Sequence, residues 1–131
     1  MAGFSNYTQN AILNWLKGTT MPTAPAALYV GLFNGDPTDA GSGGDEVTTD
    51  IRTAGRLAAT FGAISGNTSI ANSAEVDFGA AAGGETVSHF AIFDAASGGN
   101  MLGSNALASS QTVVTGNLVK FAVGALTITV A

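Results

Sequence analysis

The sequence predicts a mainly β protein, an antiparallel β-sandwich or jelly roll with one short N-terminal α-helix. Short apolar segments recur about every ten residues after residue 26, and clusters of Gly, Ser and Asn separate them. No second helical period interrupts these segments, which argues against a parallel sheet with helical crossovers. The chain of 131 residues is long enough for one domain with its own core. We therefore predict a single structural domain over residues 1–131, with the β domain in residues 26–131.

The helix is predicted over residues 6–17. Ser5 or Asn6 can cap its first turn through a side-chain oxygen, and Gln9 completes a capping box if Asn6 is the cap. Gly18 suits the left-handed position that commonly ends a helix. These signals place one helix directly before the β-rich part of the chain.

The helix carries an apolar face that either packs on its own domain or binds a partner. Its members recur at helical spacing, namely Tyr7, Ile12, Trp15 and Leu16, and Phe4 directly precedes the helix. Aromatic side chains dominate the energetics of protein interfaces, but a helix beside a β domain can equally bury them at home. Both alternatives stay open from the sequence, and these five residues are candidate partner contacts.

After the helix, Pro22 and Pro25 predict an extended connector, because proline blocks helix. The strand candidates that follow span residues 27–33, 46–53, 56–61, 69–72, 74–78, 86–94, 101–107, 111–114, 118–123 and 126–130. The segment 87–93 has apolar side chains on both faces, so its strand should be central and covered on its second face by the helix or a partner.

Composition excludes several classes of function. The chain has no cysteine, so disulfides, thiolate chemistry and sulfur-ligated zinc are ruled out. The four Lys and Arg residues are scattered and outnumbered by nine Asp and Glu, so we predict no nucleic-acid partner. No apolar run approaches the roughly 20 residues that cross a bilayer, so we predict no membrane association. Charged residues make up only 10% of the chain, against about a quarter in an average protein, which suggests surface buried in contacts.

His89 is the only candidate for acid–base catalysis. A hydrolase would need a nucleophile beside it, such as Ser88 or Ser104, and an orienting carboxylate. No nucleophile-elbow pattern surrounds either serine, so we interpret His89 as a structural residue in an apolar strand. The glycine-rich turns lack the lysine of a phosphate-binding loop. We therefore predict no catalytic residue, no cofactor and no enzyme activity.

Acidic residues concentrate in and beside one loop, at Asp36, Asp39, Asp45, Glu46 and Asp50. Calcium requires six to eight oxygen ligands, but the spacing here does not match a calcium-binding loop. We predict a solvated acidic loop and no metal site. The loop could also contact a basic groove on a partner, so Asp36 and Asp39 are candidate contacts.

Three parts of the sequence carry a resemblance to a known family: residues 28–33 with 36–41, residues 89–102 and residues 121–128. They resemble a family of small bacteriophage virion proteins, often labelled tail-fibre-like, that occur among head and tail components. The opening helix and the order of the segments also match. Here Gly83-Gly84-Glu85 stands where family members often have an aromatic residue and a glycine. The resemblance implies a virion structural protein without catalytic residues.

Within a virion, size and charge favour a decoration, or cement, protein on the outer capsid surface, synthesised in the host cytoplasm. The chain has neither a repetitive shaft nor a coiled coil, and a surface with few basic residues suits a position away from packaged DNA. The expected partners are the major capsid protein, copies of the chain itself in a homo-oligomer, or both. The alternative is a tail, adaptor, baseplate or tail-fibre-associated component, which could bind a host receptor.

Overall fold

The computed structural model describes residues 3–130 and confirms the mainly β, antiparallel class with one short N-terminal helix. The helices are α1 (Asn6–Leu16) and α2 (Thr48–Ile51). The strands are β1 (Gly3–Phe4), β2 (Leu28–Asn34), β3 (Asp45–Glu46), β4 (Leu57–Ala59), β5 (Ser69–Ala71), β6 (Val76–Ala80), β7 (Glu85–Phe93), β8 (Met101–Val113), β9 (Leu118–Phe121) and β10 (Thr127–Thr129). None of the helices in residues 3–130 combines the length and apolarity that crossing a membrane requires.

One six-stranded antiparallel sheet organises the molecule. Its order is β1-β8-β7-β2-β3, and β4 also pairs with β2. The central pair joins β2 to β7 in a register that runs from Tyr29 opposite Phe93 to Phe33 opposite His89. Because β7 also pairs with β8, its prediction as a central strand is confirmed.

The second layer consists of two separate two-stranded ribbons, β5–β10 and β6–β9. Successive side chains of a strand point to opposite faces, so alternate residues of β2 and β7 turn towards the ribbons. These side chains and those of the ribbons form one buried cluster that includes Leu32, Phe90, Phe78, Val119 and Ile128. The architecture is therefore a sandwich in which one continuous sheet packs on a divided one.

Asn72 joins the two ribbons, because it follows β5 and lies beside the segment between β9 and β10. Only 1% of the residue is exposed. Its Nδ2 donates to the carbonyls of Ala74 and Ala122 at 2.8 and 2.9 Å, and its Oδ1 accepts from the Leu126 N–H at 2.9 Å. A buried amide that satisfies three backbone groups in this way substitutes for missing strand pairing.

The opposite face of the sheet carries a smaller buried cluster of Phe33, Ala91, Phe93 and Met101. The rings of Phe33 and Phe93 stack with centroids 6.2 Å apart. Arg56 lies over the Phe93 ring, 3.4 Å from its centroid. The sequence predicted that the helix or a partner covers this second face of β7. Part of the face is instead covered by Arg56, which lies just before β4.

Two strand predictions are wrong. Residues 46–53 form only the end of β3 and then the short helix α2, because Thr48 bonds to β2 through its side chain. Its Oγ1 accepts from the Leu32 N–H at 2.8 Å, so a hydroxyl replaces a strand partner. Residues 101–107 and 111–114 belong to one strand, β8, in which residues 107–110 lie opposite Ser88 alone. A bulge of this kind keeps the strand continuous across a polar interruption.

Candidate docking surface

Helix α1 is held at its N-terminal end by hydrogen bonds to β8. Ser5 is the cap, and its Oγ accepts from the Thr8 N–H at 3.2 Å. The Ser5 N–H and the Thr8 hydroxyl both donate to the Leu102 carbonyl, at 3.0 and 2.8 Å. Gln9 does not complete a capping box, since its Nε2 bonds to the carbonyl of Phe4.

The rest of the helix is poorly covered, and none of its residues is buried. Leu13 is 58% exposed, Trp15 57% and Leu16 68%. Large apolar side chains at such exposure are unusual when they cluster, because each loses the stabilisation that burial provides. We call Leu13, Trp15 and Leu16 the exposed helix face.

The structure separates the candidate contacts of the sequence into two groups. Phe4 packs against the main core and Ile12 is half-buried, so both contribute partly to packing within the domain. Tyr7 is 37% exposed, while Trp15 and Leu16 point largely into solvent. The sequence reasoning missed Leu13, which is as exposed as Trp15.

An apolar groove of about 600 Å³ runs between α1, the connector and the sheet. The connector forms one wall with residues 21–25, and Leu28, Ile92, Leu102 and Ile128 contribute from the strands. Asp94 is the only charged residue in the lining. The groove is therefore apolar and almost free of charge.

The acidic loop reaches the N-terminus of α1. The Asn6 N–H donates to the Asp39 carbonyl at 2.7 Å, and Gln9 Nε2 lies 3.3 Å from Asp39 Oδ2. Within residues 3–130, Asp39 Oδ1 is buried without a hydrogen-bond partner. Asp36 Oδ1 accepts from the Thr38 N–H at 2.8 Å, which shapes the turn. A carboxylate near a helix N-terminus is favourable, so Asp39 has a local role beside any contact with a partner.

Ser88 and His89 come together on β7. Ser88 Oγ lies 2.9 Å from His89 Nδ1, which is the distance of a nucleophile–base pair. The same oxygen accepts from the Gly35 N–H at 2.8 Å, so it is tied to the loop after β2. Ser104 is 1% exposed in the sheet and cannot be reached by a substrate. In residues 3–130, no group of three or more His, Cys, Asp or Glu side chains could hold a metal ion.

We expect His89→Ala to leave the fold intact with a modest loss of stability, about 1 kcal/mol, because it removes one hydrogen bond and part of a half-buried ring. Thermal unfolding followed by circular dichroism measures this loss. A hydrolytic activity of the purified protein that the substitution abolished without unfolding would contradict the structural role.

The sequence reasoning missed a polar cluster around Arg56. Its guanidinium makes two bonds to Glu46, from Nε to Oε2 at 2.9 Å and from Nη2 to Oε1 at 2.8 Å. Nη1 donates to the carbonyls of Ala95 and Gly98 at 3.1 and 2.8 Å. Burial alone would raise the pKa of Glu46, but hydrogen bonds from Arg56 and Thr48 outweigh burial and lower it. No local signal marks Arg56, since its partners lie 10 to 42 residues away.

These features define a β-rich protein whose short N-terminal helix leaves large apolar side chains exposed. The family model described as "Podophage GP4 fiber I protein gp80" matches residues 3–129, nearly the whole chain. The chain therefore belongs to this phage fibre protein family, and the resemblance to tail-fibre-like virion proteins is confirmed. No curated protein matches the chain.

Proposed function

We propose that this chain is a non-enzymatic component of a phage tail fibre, and that it works by attaching to neighbouring proteins through the exposed helix face. The observation that carries the proposal is the set of three large apolar side chains on α1, each more than half exposed. Because no residue of α1 is buried, the helix contributes little to the hydrophobic core of the domain. Contacts with a partner explain its exposed apolar residues better.

The family description supports the tail apparatus as the location. It names a fibre protein of a podophage, which fits the alternative that the sequence left open at least as well as the capsid decoration that it favoured. Capsid decoration remains a second candidate for one reason. Residues 3–130 form a sandwich without an elongated shaft, which suits a protein that bridges capsid subunits.

Copy number and position in the particle separate the two candidates. Quantitative mass spectrometry of purified particles should find at most a few dozen copies, and immunogold labelling should find them at the tail. Hundreds of copies spread over the capsid would contradict the fibre location and support decoration.

The helix face gives a prediction about attachment. We expect Trp15→Ala to weaken binding to the neighbour by about 2–4 kcal/mol, because central aromatic residues dominate interface energies. Occupancy of the variant in particles, measured by mass spectrometry, should fall sharply. The melting temperature of the isolated chain should change little, since Trp15 is 57% exposed.

Ile64→Ala is the matched control. Ile64 is 71% exposed but lies outside the helix face, so its substitution should leave occupancy unchanged. A Trp15→Ala variant that kept full occupancy would contradict attachment through this face. A large loss of melting temperature would instead assign Trp15 to the protein's own packing.

A further inference from the structure

A second apolar surface lies at the other end of β8 from α1. The first turn of α1 bonds to Leu102, near the start of β8, whereas Val113 ends that strand. Thirteen residues of strand span at most about 40 Å. Beyond the end of β8, Val114 is 58% exposed and Leu118, at the start of β9, is 67% exposed.

Beside these two residues a groove of about 540 Å³ runs between β8 and β9, which we call the β8–β9 groove. Consecutive residues of both strands line it, including 107–109, 111–113 and 117–121. Successive side chains of a strand point to opposite faces, so a groove on one face is lined by every second residue. This groove is lined by consecutive residues, which means that it follows the edges of the strands. Within residues 3–130 those edges have no paired strand, because β9 pairs only with β6 and β8 pairs on its outer side with β1 only at Gly103 and Ser104.

The groove fits an indole side chain chemically. Val87, Val113 and Val119 give it an apolar floor, while Ser109, Gln111 and Asn117 bring oxygen acceptors to it. A tryptophan that becomes buried needs an acceptor for its N–H. Trp15 lies in the last turn of α1 and is 57% exposed, and its indole N–H bonds to no acceptor within residues 3–130.

Charge favours a second copy of this chain as the partner. The net charge of −5 makes two copies repel one another, but all nine carboxylates lie between residues 36 and 94. The segments 1–35 and 95–131, which hold the helix face and most of the β8–β9 groove, contain one lysine each and no acid. At the groove, Lys120 lies opposite Asp77 of β6 and Glu85 of β7 lies opposite Val113, so this end carries one net negative charge. Contact between the two ends therefore brings no carboxylates of these segments together.

From these observations we infer that Trp15 of one copy binds in the β8–β9 groove of a second copy, head to tail. A contact between two helix faces is a poorer solution. An 11-residue helix is about 16 Å long, and its three exposed apolar side chains cannot approach the roughly 1,000 Å² of a stable interface. A contact between different surfaces leaves one free surface at each end, so it builds rings or filaments.

This contact rests on the proposed function, because it takes the exposed helix face as the docking surface. Analytical ultracentrifugation of the purified full chain tests it with two variants. Trp15→Ala removes the helix-face contact, and Leu118→Asp places a charge at the groove. Ile64→Asp is the matched control for the second variant, because Ile64 is as exposed as Leu118 but lies outside both surfaces.

The wild-type chain and Ile64→Asp should form a concentration-dependent series of oligomers. Each of the other two variants should be monomeric, with self-association weakened at least about 30-fold. An equimolar mixture of the two should form a one-to-one heterodimer, since each variant retains the surface that the other has lost. Circular dichroism should show all variants folded, because the substituted residues are exposed.

Three results would overturn the inference. The first is a wild-type chain that is still monomeric at about 1 mM, which excludes contact between Trp15 and the β8–β9 groove. Tethering in an assembly provides an effective concentration of this size. A Leu118→Asp variant that dimerises shows contact between two helix faces. A mixture without heterodimer shows that the two surfaces do not meet. If any of these holds while Trp15→Ala is still lost from particles, the proposed function stands and only the identity of the partner is wrong.

Discussion

Replacing Asn72 with alanine should cost roughly 3–4 kcal/mol of folding free energy, the largest stability effect that we expect from a single polar residue in this protein. The side chain makes three hydrogen bonds to backbone groups on both sides of the divided layer. Without it, the N–H of the fully buried Leu126 loses its acceptor and water cannot replace that acceptor. Ala74 and Ala122 are exposed residues and their bonds to Asn72 are only part-buried, so water can compensate for part of the loss there.

Urea denaturation followed by circular dichroism measures this effect, and the melting temperature should fall by on the order of 10 °C. Asn10→Ala is the matched control, because Asn10 is exposed on α1 and its removal should change stability by less than about 0.5 kcal/mol. A loss below about 1 kcal/mol for Asn72→Ala would show that the ribbons hold together without this amide.

Replacing Arg56 with methionine should cost about 2–4 kcal/mol at neutral pH. Methionine keeps an apolar chain on the Phe93 ring but leaves Glu46 without its bidentate partner, and only 30% of the Glu46 side chain is exposed. The carbonyls of Ala95 and Gly98 also lose their donor. Hydrogen exchange should therefore increase in residues 95–98, while Lys120→Met, at an exposed lysine, should leave stability nearly unchanged.

The cost of Arg56→Met should depend on pH. The folded-state pKa of Glu46 is lowered, so the ion pair contributes its full stabilisation above the unfolded pKa of about 4.3 and loses it as pH falls through the folded value. The difference in unfolding free energy between wild type and variant should thus shrink as the pH is lowered below about 4.5. Asp94, whose pKa is lowered mainly by the Asn100 N–H, contributes with the same sign in both proteins. A difference that stayed constant from pH 7 to pH 3 would contradict a role for the charge.

Arg56 and Asn72 share a property that explains why no sequence pattern identified them. Each satisfies backbone carbonyls from segments that are far away along the chain, up to 42 residues for Arg56 and 50 for Asn72. Carbonyl groups are present at every position, so they leave no mark in the sequence. Which arginine or asparagine meets them is decided only when the strands are paired.

The two wrong strand predictions have the same origin. Thr48 belongs to a segment whose composition suits a strand, and only the approach of Leu32 allows its hydroxyl to replace a strand partner. The sequence predicted β8 as two strands, 101–107 and 111–114, which leaves out Ser109 and Ser110. Pairing with β7 on both sides of these residues turns the interruption into a bulge.

What the sequence determined by itself is local or periodic. The cap at Ser5, the glycine after α1 with φ of 99°, and the apolar runs of β2 and β7 depend on neighbours in the chain. They were sufficient for the fold class and the N-terminal helix, whereas the family came from the resemblance of three longer segments to known proteins. Tertiary structure alone decided whether the helix face was buried or free, because burial depends on how much of the sheet the helix covers. Only its first turn bonds to β8, so Trp15 and Leu16 extend past that anchor into solvent.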